Sequence, residues 1–225
     1  HLFDVPTKKE IPLAEDLFNN PWDVSYEHWT TDGKRFLFLY NQRGHGVMRL
    51  VAIDAETGKA TSVISEECKT FFDYADKLYL QYLDDTNEII WMSERDGWNH
   101  LYLIDMKTGE VKKQITKGEW LVKRVDRVDV KAREVHFQAL GIHPGQDPYH
   151  LHSARIKFDG TGLVVAGWAD PDGGVDAGPR DYSDITVLAA QLDGGSRWSD
   201  TVIGSTNDTV VSVTATPDGT TFVGG

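Results

Sequence analysis

The 225-residue sequence is poor in cysteine, contains no long apolar run, and has no lysine after Lys157. Cys68 is the only cysteine, which excludes an internal disulfide and a cysteine-based zinc site. No stretch reaches the roughly 18 consecutive apolar residues of a membrane-spanning helix. All thirteen lysines lie at or before Lys157, so the composition changes within the chain.

The formal net charge of −12 disfavours binding to nucleic acids and to anionic membrane surfaces. We therefore expect no nucleic-acid partner and no membrane partner. No cofactor is expected either, since no cofactor-binding motif is singled out in the sequence. The apolar fraction of 40% and the aromatic fraction of 11% favour a packed core over global disorder. The N-terminal residues have no basic segment followed by an apolar one, which argues against a signal peptide, and they lack an initiator methionine. These features predict that the chain is a processed or excised piece.

The stretch Glu88–Gly109 has the pattern of two strands joined by a hairpin. Apolar and aromatic residues run from Glu88 to Ser93, and a second such run covers His100 to Ile104. Asp96-Gly97 lies between them, and this dipeptide is a strong hairpin signal because it tolerates positive φ angles. Glu94, Arg95 and Asp96 are therefore interpreted as turn-fixing charges, and Trp91 as a core residue.

Two segments of the chain repeat the same order of strands and turns. The turn Asp54–Gly58 has the pattern D-x-x-T-G, and the same pattern returns at Asp105–Gly109, 51 positions later (54 to 105). Each turn follows three predicted strands and precedes a fourth. Four strands at a period of about 40–55 residues are typical of a β-propeller blade. Helical periodicity is almost absent, with Leu13–Phe18 as the best candidate for one helical turn.

A third unit is predicted from Val122–Val130, Glu134–Ala139 and His150–Phe158. After it, near 163–165, the amino-acid composition changes. We expect one all-β domain over 1–225, a β-propeller of four-stranded antiparallel blades, with five blades as the expected number. The first and last predicted strands fit two halves of one composite blade that closes the ring and removes exposed sheet edges. About 18 strands can be counted, against about 20 for five blades. An incomplete blade would leave an edge through which two chains could self-associate.

Residues 4–163 resemble the propeller domain of the bacterial dipeptidyl peptidase IV and prolyl oligopeptidase group. The resemblance rests on Phe36–Gly44, on Trp91–Tyr102 and on Gly118-Glu119-Trp120. In that group the propeller caps a separate α/β-hydrolase domain and restricts access to it. The resemblance thus implies a gating or peptide-binding role, and it suggests a periplasmic or extracellular origin without fixing the localisation.

Residues 164–225 are similar to a different group, the SBBP repeats of bacterial propellers. The similarity rests on Val165–Trp168, Leu188–Gly195, Arg197-Trp198-Ser199 and Asn207–Gly219. Two propeller types in one chain indicate an engineered chimera, joined near 163–165, and a break in the phase of the strand repeat is expected at that junction. The alternative is an excised propeller domain of a peptidase, and a peptide ligand is expected only in that case.

The sequence shows no constellation for catalysis, so we predict that the chain is not an enzyme. The hydrolases of the resembled group carry their serine on a Gly-x-Ser-x-Gly elbow, which this sequence lacks. The adjacent glutamates Glu66 and Glu67 do not have the context of the substrate-anchoring pair of that group. A solvated turn is the favoured interpretation of these two residues.

Two groups of residues are candidates for metal binding. Asp170, Asp172 and Asp176 alternate in a glycine-rich loop, as oxygen ligands of calcium do, but the EF-hand pattern is not met and a plain acidic loop is favoured. His143, His150 and His152 surround Pro144–Pro148, and period-two alternation would place His150 and His152 on one strand face. Two imidazoles alone do not make a zinc site, so ordinary loop and strand histidines are favoured.

Overall fold

The computed structural model describes residues 1–143 and 146–168, and after them the backbone of 184–190, 196–203, 212–215 and 221–224. These residues form β-strands and two short 3₁₀ turns, at Glu15–Leu17 and Asp84–Thr86. The predicted helical turn within Leu13–Phe18 is thereby confirmed. The strands are β1 Leu2–Asp4, β2 Lys9–Ile11, β3 Pro21–Trp29, β4 Arg35–Gln42, β5 Val47–Asp54, β6 Ala60–Glu67, β7 Leu80–Leu83, β8 Glu88–Ser93, β9 His100–Asp105, β10 Val111–Gln114, β11 Leu121–Asp129, β12 Glu134–Leu140, β13 Leu151–Lys157, β14 Leu163–Trp168, β15 Asp184–Ala190, β16 Ser196–Ile203, β17 Ser212–Ala215 and β18 Thr221–Gly224.

Two of the sheets are four-stranded meanders in which each strand pairs with its neighbours in sequence. The first has the order β3-β4-β5-β6 and is antiparallel throughout. The second has the order β10-β9-β8-β7 and contains the Glu88–Gly109 hairpin. This is the strand order expected for propeller blades, and the all-β prediction is confirmed.

The repeated D-x-x-T-G turns connect β5 to β6 and β9 to β10, and equivalent hydrogen bonds hold both turns. Asp54 Oδ1 accepts hydrogen bonds from the backbone N–H groups of Glu56 and Thr57, at 3.1 and 2.8 Å. Asp105 Oδ1 accepts two N–H groups in the same way, at 2.9 and 2.8 Å. Each turn ends on a glycine with positive φ, which an L side chain adopts only under strain. The predicted equivalence of the two turns is confirmed.

The chain divides into two compact units: residues 1–75, 80–89 and 104–111, and residues 76–79, 90–103 and 112–225. In the first unit Phe38, Tyr40, Val51 and Ile53 form a buried cluster on β4 and β5. Phe18 packs edge-on against Phe38, with 5.2 Å between ring centroids. The N-terminal segment therefore contributes to the core of that unit.

The second unit has its own aromatic core. Trp91 on β8 is 1% exposed, which confirms it as a core residue. Trp120 stacks on Phe137 of β12, with 6.0 Å between ring centroids. His100 on β9 is completely buried and meets Trp120 edge-on at 4.9 Å. Large apolar and aromatic side chains thus hold the family-like part of this unit together.

The third sheet differs from the prediction of four-stranded blades because it has six strands, in the order β11-β12-β13-β14-β15-β16. β14 lies at the predicted junction and pairs with β13 in unbroken register, from Ser153 opposite Ala166 to Arg155 opposite Val164. The expected break at 163–165 concerns the phase of the strand repeat along the sequence, and it stays a prediction.

The terminal strands lie in two-stranded sheets, and their predicted pairing into one composite blade stays a prediction. β1 pairs with β2, and β17 pairs with β18, each as a two-stranded sheet of its own. Within the described residues, no helix is long and apolar enough to cross a membrane.

Candidate peptide-contact surface

Exposed aromatic side chains gather in the first unit, where the β4–β5 loop meets the start of β3 and the segment that follows β6. We call the group formed by Trp22, Arg43, His45 and Tyr74 the aromatic ledge. Trp22 is 51% exposed and Tyr74 is 37% exposed, and Phe71 nearby in the sequence is 59% exposed. Clustered aromatic groups on the surface of a folded domain mark interaction surfaces, because a partner that covers them removes their apolar area from water.

The backbone of the β4–β5 loop brings His45 to the centre of this group. The His45 N–H donates to the Gln42 carbonyl at 2.8 Å and closes a tight turn. Gly44 and His45 both have positive φ, +96° and +56°. A positive φ is uncommon for a residue other than glycine and concentrates at functional sites.

Two neighbouring segments are tied to the same loop by backbone hydrogen bonds. The Phe72 N–H donates to the His45 carbonyl at 2.8 Å, and the Cys68 N–H donates to the Gly46 carbonyl at 2.9 Å. The Arg43 N–H donates to the Asn20 carbonyl, immediately before β3, at 3.1 Å. The loop therefore fixes both the segment that carries Tyr74 and the segment that carries Trp22.

The rings of the ledge form a continuous series of contacts. His45 stacks on Tyr74, with 4.5 Å between centroids, and meets Trp22 edge-on at 5.3 Å. The Arg43 guanidinium carbon lies 5.5 Å from the centre of the Trp22 ring, within cation–π distance. The strand pairing between β3 and β4 shifts register at Trp22, and such bulges redirect a side chain.

The ledge offers flat apolar surface beside a cation, which is chemistry suited to binding an extended peptide. Aromatic and arginine side chains dominate the energetics of protein contacts. The aromatic ones bring large area with little loss of rotamer freedom. His45 Nδ1 contacts the Asn41 side-chain oxygen at 3.1 Å, which orients its ring. The rings are thus held in place before any ligand binds, which lowers the entropic cost of binding.

The glutamate pair lies near this surface but does not form the predicted solvated turn. Glu66 and Glu67 are the last two residues of β6, where Met48 and Val47 of β5 pair with them. Glu67 makes an ion pair with Arg49 at 3.6 Å. The turn prediction was wrong because the adjacent acidic residues hid a strand end that follows the apolar pair Val63 and Ile64.

The charged residues of the β8–β9 turn have partners both within the turn and outside it. Glu94 accepts a hydrogen bond from Lys77 Nζ at 2.7 Å. Arg95 Nε donates to Ser93 Oγ, and its guanidinium lies over the Tyr102 ring at 4.7 Å. Asp96 accepts the backbone N–H of Trp98 at 3.2 Å. These contacts fit the interpretation of Glu94, Arg95 and Asp96 as charges that fix the turn.

The structure brings together two of the three candidate zinc histidines. His143 and His152 stack with 6.4 Å between centroids. His152 is buried, with Nδ1 3.0 Å from the His150 carbonyl and Nε2 3.0 Å from Gln146 Oε1. His150 precedes β13 instead of lying on it, so the predicted shared strand face is wrong. Among the described residues, no group of three or more ligating side chains could hold a metal ion.

The calcium candidates Asp170, Asp172 and Asp176 lie outside the described residues. The ledge itself was not predicted from the sequence. One signal was present, since Asn41-Gln42-Arg43-Gly44 belongs to a stretch that carries the family resemblance. Nothing in the sequence showed that Trp22 and Tyr74 would meet this loop from positions about 20 to 30 residues away.

The comparisons with known proteins concern mainly the first 163 residues. The family model described as the dipeptidyl peptidase IV N-terminal region matches residues 2–163. Dipeptidyl peptidase 4 of Trichophyton equinum is 31% identical over 164 residues, which cover 71% of this chain and 20% of that protein. Dipeptidyl peptidase 4 of Trichophyton rubrum is 24% identical over the same length, with the same shares of both chains.

A comparison of this structure with solved structures finds a similar fold in a dipeptidyl peptidase 4. The crystal structure of Porphyromonas gingivalis dipeptidyl peptidase 4 matches with a TM-score of 0.50 and 15% sequence identity. The match covers 84% of this chain and 28% of that one. The chain spans about a fifth of the length of the curated relatives that it matches. Because the family model covers more than half of the sequence, the chain belongs to the family of the dipeptidyl peptidase IV N-terminal region.

Proposed function

We propose that the chain is the propeller segment of a dipeptidyl-peptidase-like protein, and that it contacts and admits peptide substrates through the aromatic ledge. The observation that carries the proposal is the continuous, exposed series Trp22–His45–Tyr74 within the family-matched residues. The relatives are named dipeptidyl peptidases, a class of enzyme that has peptides as substrates. An exposed aromatic surface on a segment of such a protein is suited to that class of ligand.

This proposal is preferred to an engineered chimera. The family match and the curated relatives support a segment of a peptidase. The likeness of residues 164–225 to SBBP repeats stays a prediction. Sequences of natural homologues that continue through 163–165 in the same way would decide against a chimera, and their consistent divergence at that point would decide for one.

The arrangement of the sheets as a closed propeller ring is part of the same proposal, while the predicted number of five blades stays a prediction. The two-stranded sheets β1-β2 and β17-β18 are each half a blade, and their pairing would give one complete blade. The alternative is that a second copy supplies the missing strands, which would produce a dimer. Light scattering coupled to size exclusion separates the two, because the closed ring predicts a monomer at micromolar concentration.

We propose further that this chain does not cleave peptides by itself. The sequence offers no serine elbow, and the ledge combines rings and a cation, which bind without providing a nucleophile. A chromogenic Xaa-Pro substrate incubated with the purified chain tests this directly. Robust turnover that survives removal of contaminating peptidases would overturn the proposal.

Peptide binding is tested with the neutral probe acetyl-Ala-Ala-Phe-Ala-Ala-Ala-amide and calorimetric titration. We expect Trp22→Ala to weaken binding at least about fivefold, since truncation of an aromatic hot spot removes about 1 kcal/mol or more. The matched control is Trp98→Ala, because Trp98 is 41% exposed and lies outside the ledge. Equal affinity of the parent and both variants, or no binding at all, would overturn a peptide-contact role for the ledge.

A further inference from the structure

Arg43 differs from other arginines of the chain in what its guanidinium contacts. Arg35, Arg49, Arg124 and Arg155 each direct their guanidinium at a carbonyl or carboxylate oxygen. For Arg43 the structure shows, within the described residues, no side-chain hydrogen bond and no ion pair. Its side chain is exposed, and it makes the cation–π contact with Trp22 at 5.5 Å.

The chemistry of this position is specific. A guanidinium carries five N–H donors in a planar fork, and the fork matches the two oxygens of a carboxylate. The ring contact keeps the guanidinium beside the ledge without using its N–H donors. The chain carries a net charge of −12, so a cation that keeps its donors unused is notable among so many acidic groups.

We propose that Arg43 selects peptides in which an acidic side chain lies next to an apolar or aromatic one. In this arrangement the apolar side chain covers the rings of Trp22, His45 and Tyr74, and the carboxylate receives the Arg43 fork. The inference rests on the proposed peptide-contact function and adds to it the class of peptide.

The open space around the loop tip favours an acidic side chain over a terminal carboxylate. A Cβ built on Gly44 has no atom within 4 Å, so the tip next to Arg43 is unobstructed. A peptide can therefore continue past Arg43, and its carboxylate need not be at the chain end. The two sources of a carboxylate are separated by the probes below.

The test uses three N-terminally blocked hexapeptides that differ at one group. The first is acetyl-Ala-Ala-Phe-Asp-Ala-Ala-amide, the second replaces Asp by Asn, and the third keeps Asn but ends in a free carboxylate. We expect the Asp peptide to bind about tenfold more tightly than the Asn amide, because hydrogen bonds to charged groups contribute that much. Release of the terminal carboxylate is expected to change the affinity by less than about twofold, because an exposed charge away from Arg43 contributes little.

Variants assign the selectivity to Arg43. Arg43→Gln should reduce the tenfold ratio of the affinities for the Asp and Asn peptides to about one. Arg43→Lys should keep about half of the logarithm of that ratio, because the ammonium retains the charge but loses the planar fork. The matched control is Arg124→Gln, since Arg124 is also exposed but pairs with Asp126. High salt should weaken the preference in the parent.

The outcomes separate this inference from the proposed function. If the Asp and Asn peptides bind equally well to the parent, the acid preference is wrong while peptide contact stands. If the free carboxylate alone improves binding, the ligand group is a chain terminus and the inference is wrong. If no peptide binds, the proposed function falls and the inference falls with it. Circular dichroism of each variant checks that the fold is retained.

Discussion

Gly109 lies directly against the backbone of Val63. A Cβ built on this glycine would stand 1.9 Å from the Val63 carbonyl oxygen, and its φ is +77°. Gly58 has the same relation to the Pro12 carbonyl, at 2.0 Å and with a φ of +71°. Both D-x-x-T-G turns therefore use their glycine twice, for a left-handed backbone and for close approach to an earlier segment of the first unit.

The substitution Gly109→Ala should destabilise the chain by more than about 2 kcal/mol. A positive φ alone costs an L-residue about 1–2 kcal/mol, and the contact with Val63 forces a backbone shift in addition. The measurement is urea denaturation followed by circular dichroism, with the free energy of unfolding compared with that of the parent.

Gly97→Ala is the matched control for this effect. Gly97 has a φ of +97°, but a Cβ built on it has no atom within 4 Å, so only the backbone cost applies. The variant should lose about 1–2 kcal/mol. If Gly109→Ala is no more destabilising than Gly97→Ala, the close approach of the turn to Val63 is not important for stability.

Much of the fold of residues 1–163 could be predicted from local patterns. Asp54 and Asp105 indicate their turns because a carboxylate that caps its own loop is a short-range interaction. The runs on β4, β8 and β9 indicate strands because they combine apolar residues with β-branched and aromatic ones. The six-stranded sheet could not be predicted, because pairing between β14 and β15 depends on long-range geometry that no local pattern contains.

The candidate site was less predictable than the fold. The contact of Trp22 with His45 depends on a bulge in β3 and on a positive φ in a residue other than glycine. Neither the bulge nor the positive φ follows from the strand or turn propensity of the residues. His152 illustrates the same limit, since its ring packs against Gly167 of another strand and not with His150 on a shared face.

Trp91→Ala should cost about 3–5 kcal/mol of unfolding free energy, because a large buried side chain leaves a cavity that the sheet cannot fill. Trp91 is 1% exposed. Trp98→Ala, at an exposed turn position, should stay within about 0.5–1 kcal/mol of the parent. Thermal and urea denaturation measure both variants, and equal melting of Trp91→Ala and the parent would show that the residue is not part of the core.

His100 should make the chain less stable as the pH falls below neutrality. Its Nδ1 lies 3.0 Å from Thr116 Oγ1 and its Nε2 lies 3.0 Å from the Gly118 carbonyl. Burial lowers the pKa of His100 below its ordinary value, although the Gly118 carbonyl acts in the opposite direction. The unfolded chain therefore binds the proton first, and stability is lost as the pH falls through the unfolded value of about 6.5.

The measurement is the free energy of unfolding between pH 8 and pH 5. His100→Gln is expected to be less stable at every pH, because a buried hydrogen-bonded ring is lost. It should also show a shallower decline below about pH 6.5, since one such group contributes up to about 1.4 kcal/mol per pH unit. An unchanged slope in His100→Gln would contradict the assignment.

Glu134 and Arg155 form a partly buried ion pair on β12 and β13, with Arg155 Nη1 2.5 Å from Glu134 Oε2. Their side chains are 14% and 13% exposed. A double-mutant cycle with Glu134→Gln and Arg155→Met should give a coupling energy of about 1–3 kcal/mol at pH 7. Arg124 and Asp126 are the control pair, 65% and 36% exposed, and should couple by less than about 0.5–1 kcal/mol.

The same cycle should depend on pH in a defined direction. The hydrogen bond from His136, opposed by burial and assisted by the charge of Arg155, lowers the pKa of Glu134. A carboxylate with a lowered pKa stabilises the fold above its unfolded value of about 4.3 and loses that contribution as the pH falls through the folded value. The coupling with Arg155 should therefore shrink as the pH falls below the unfolded value of about 4.3 and through the folded value. A coupling that grows on acidification would show that the pair does not hold an ionised Glu134.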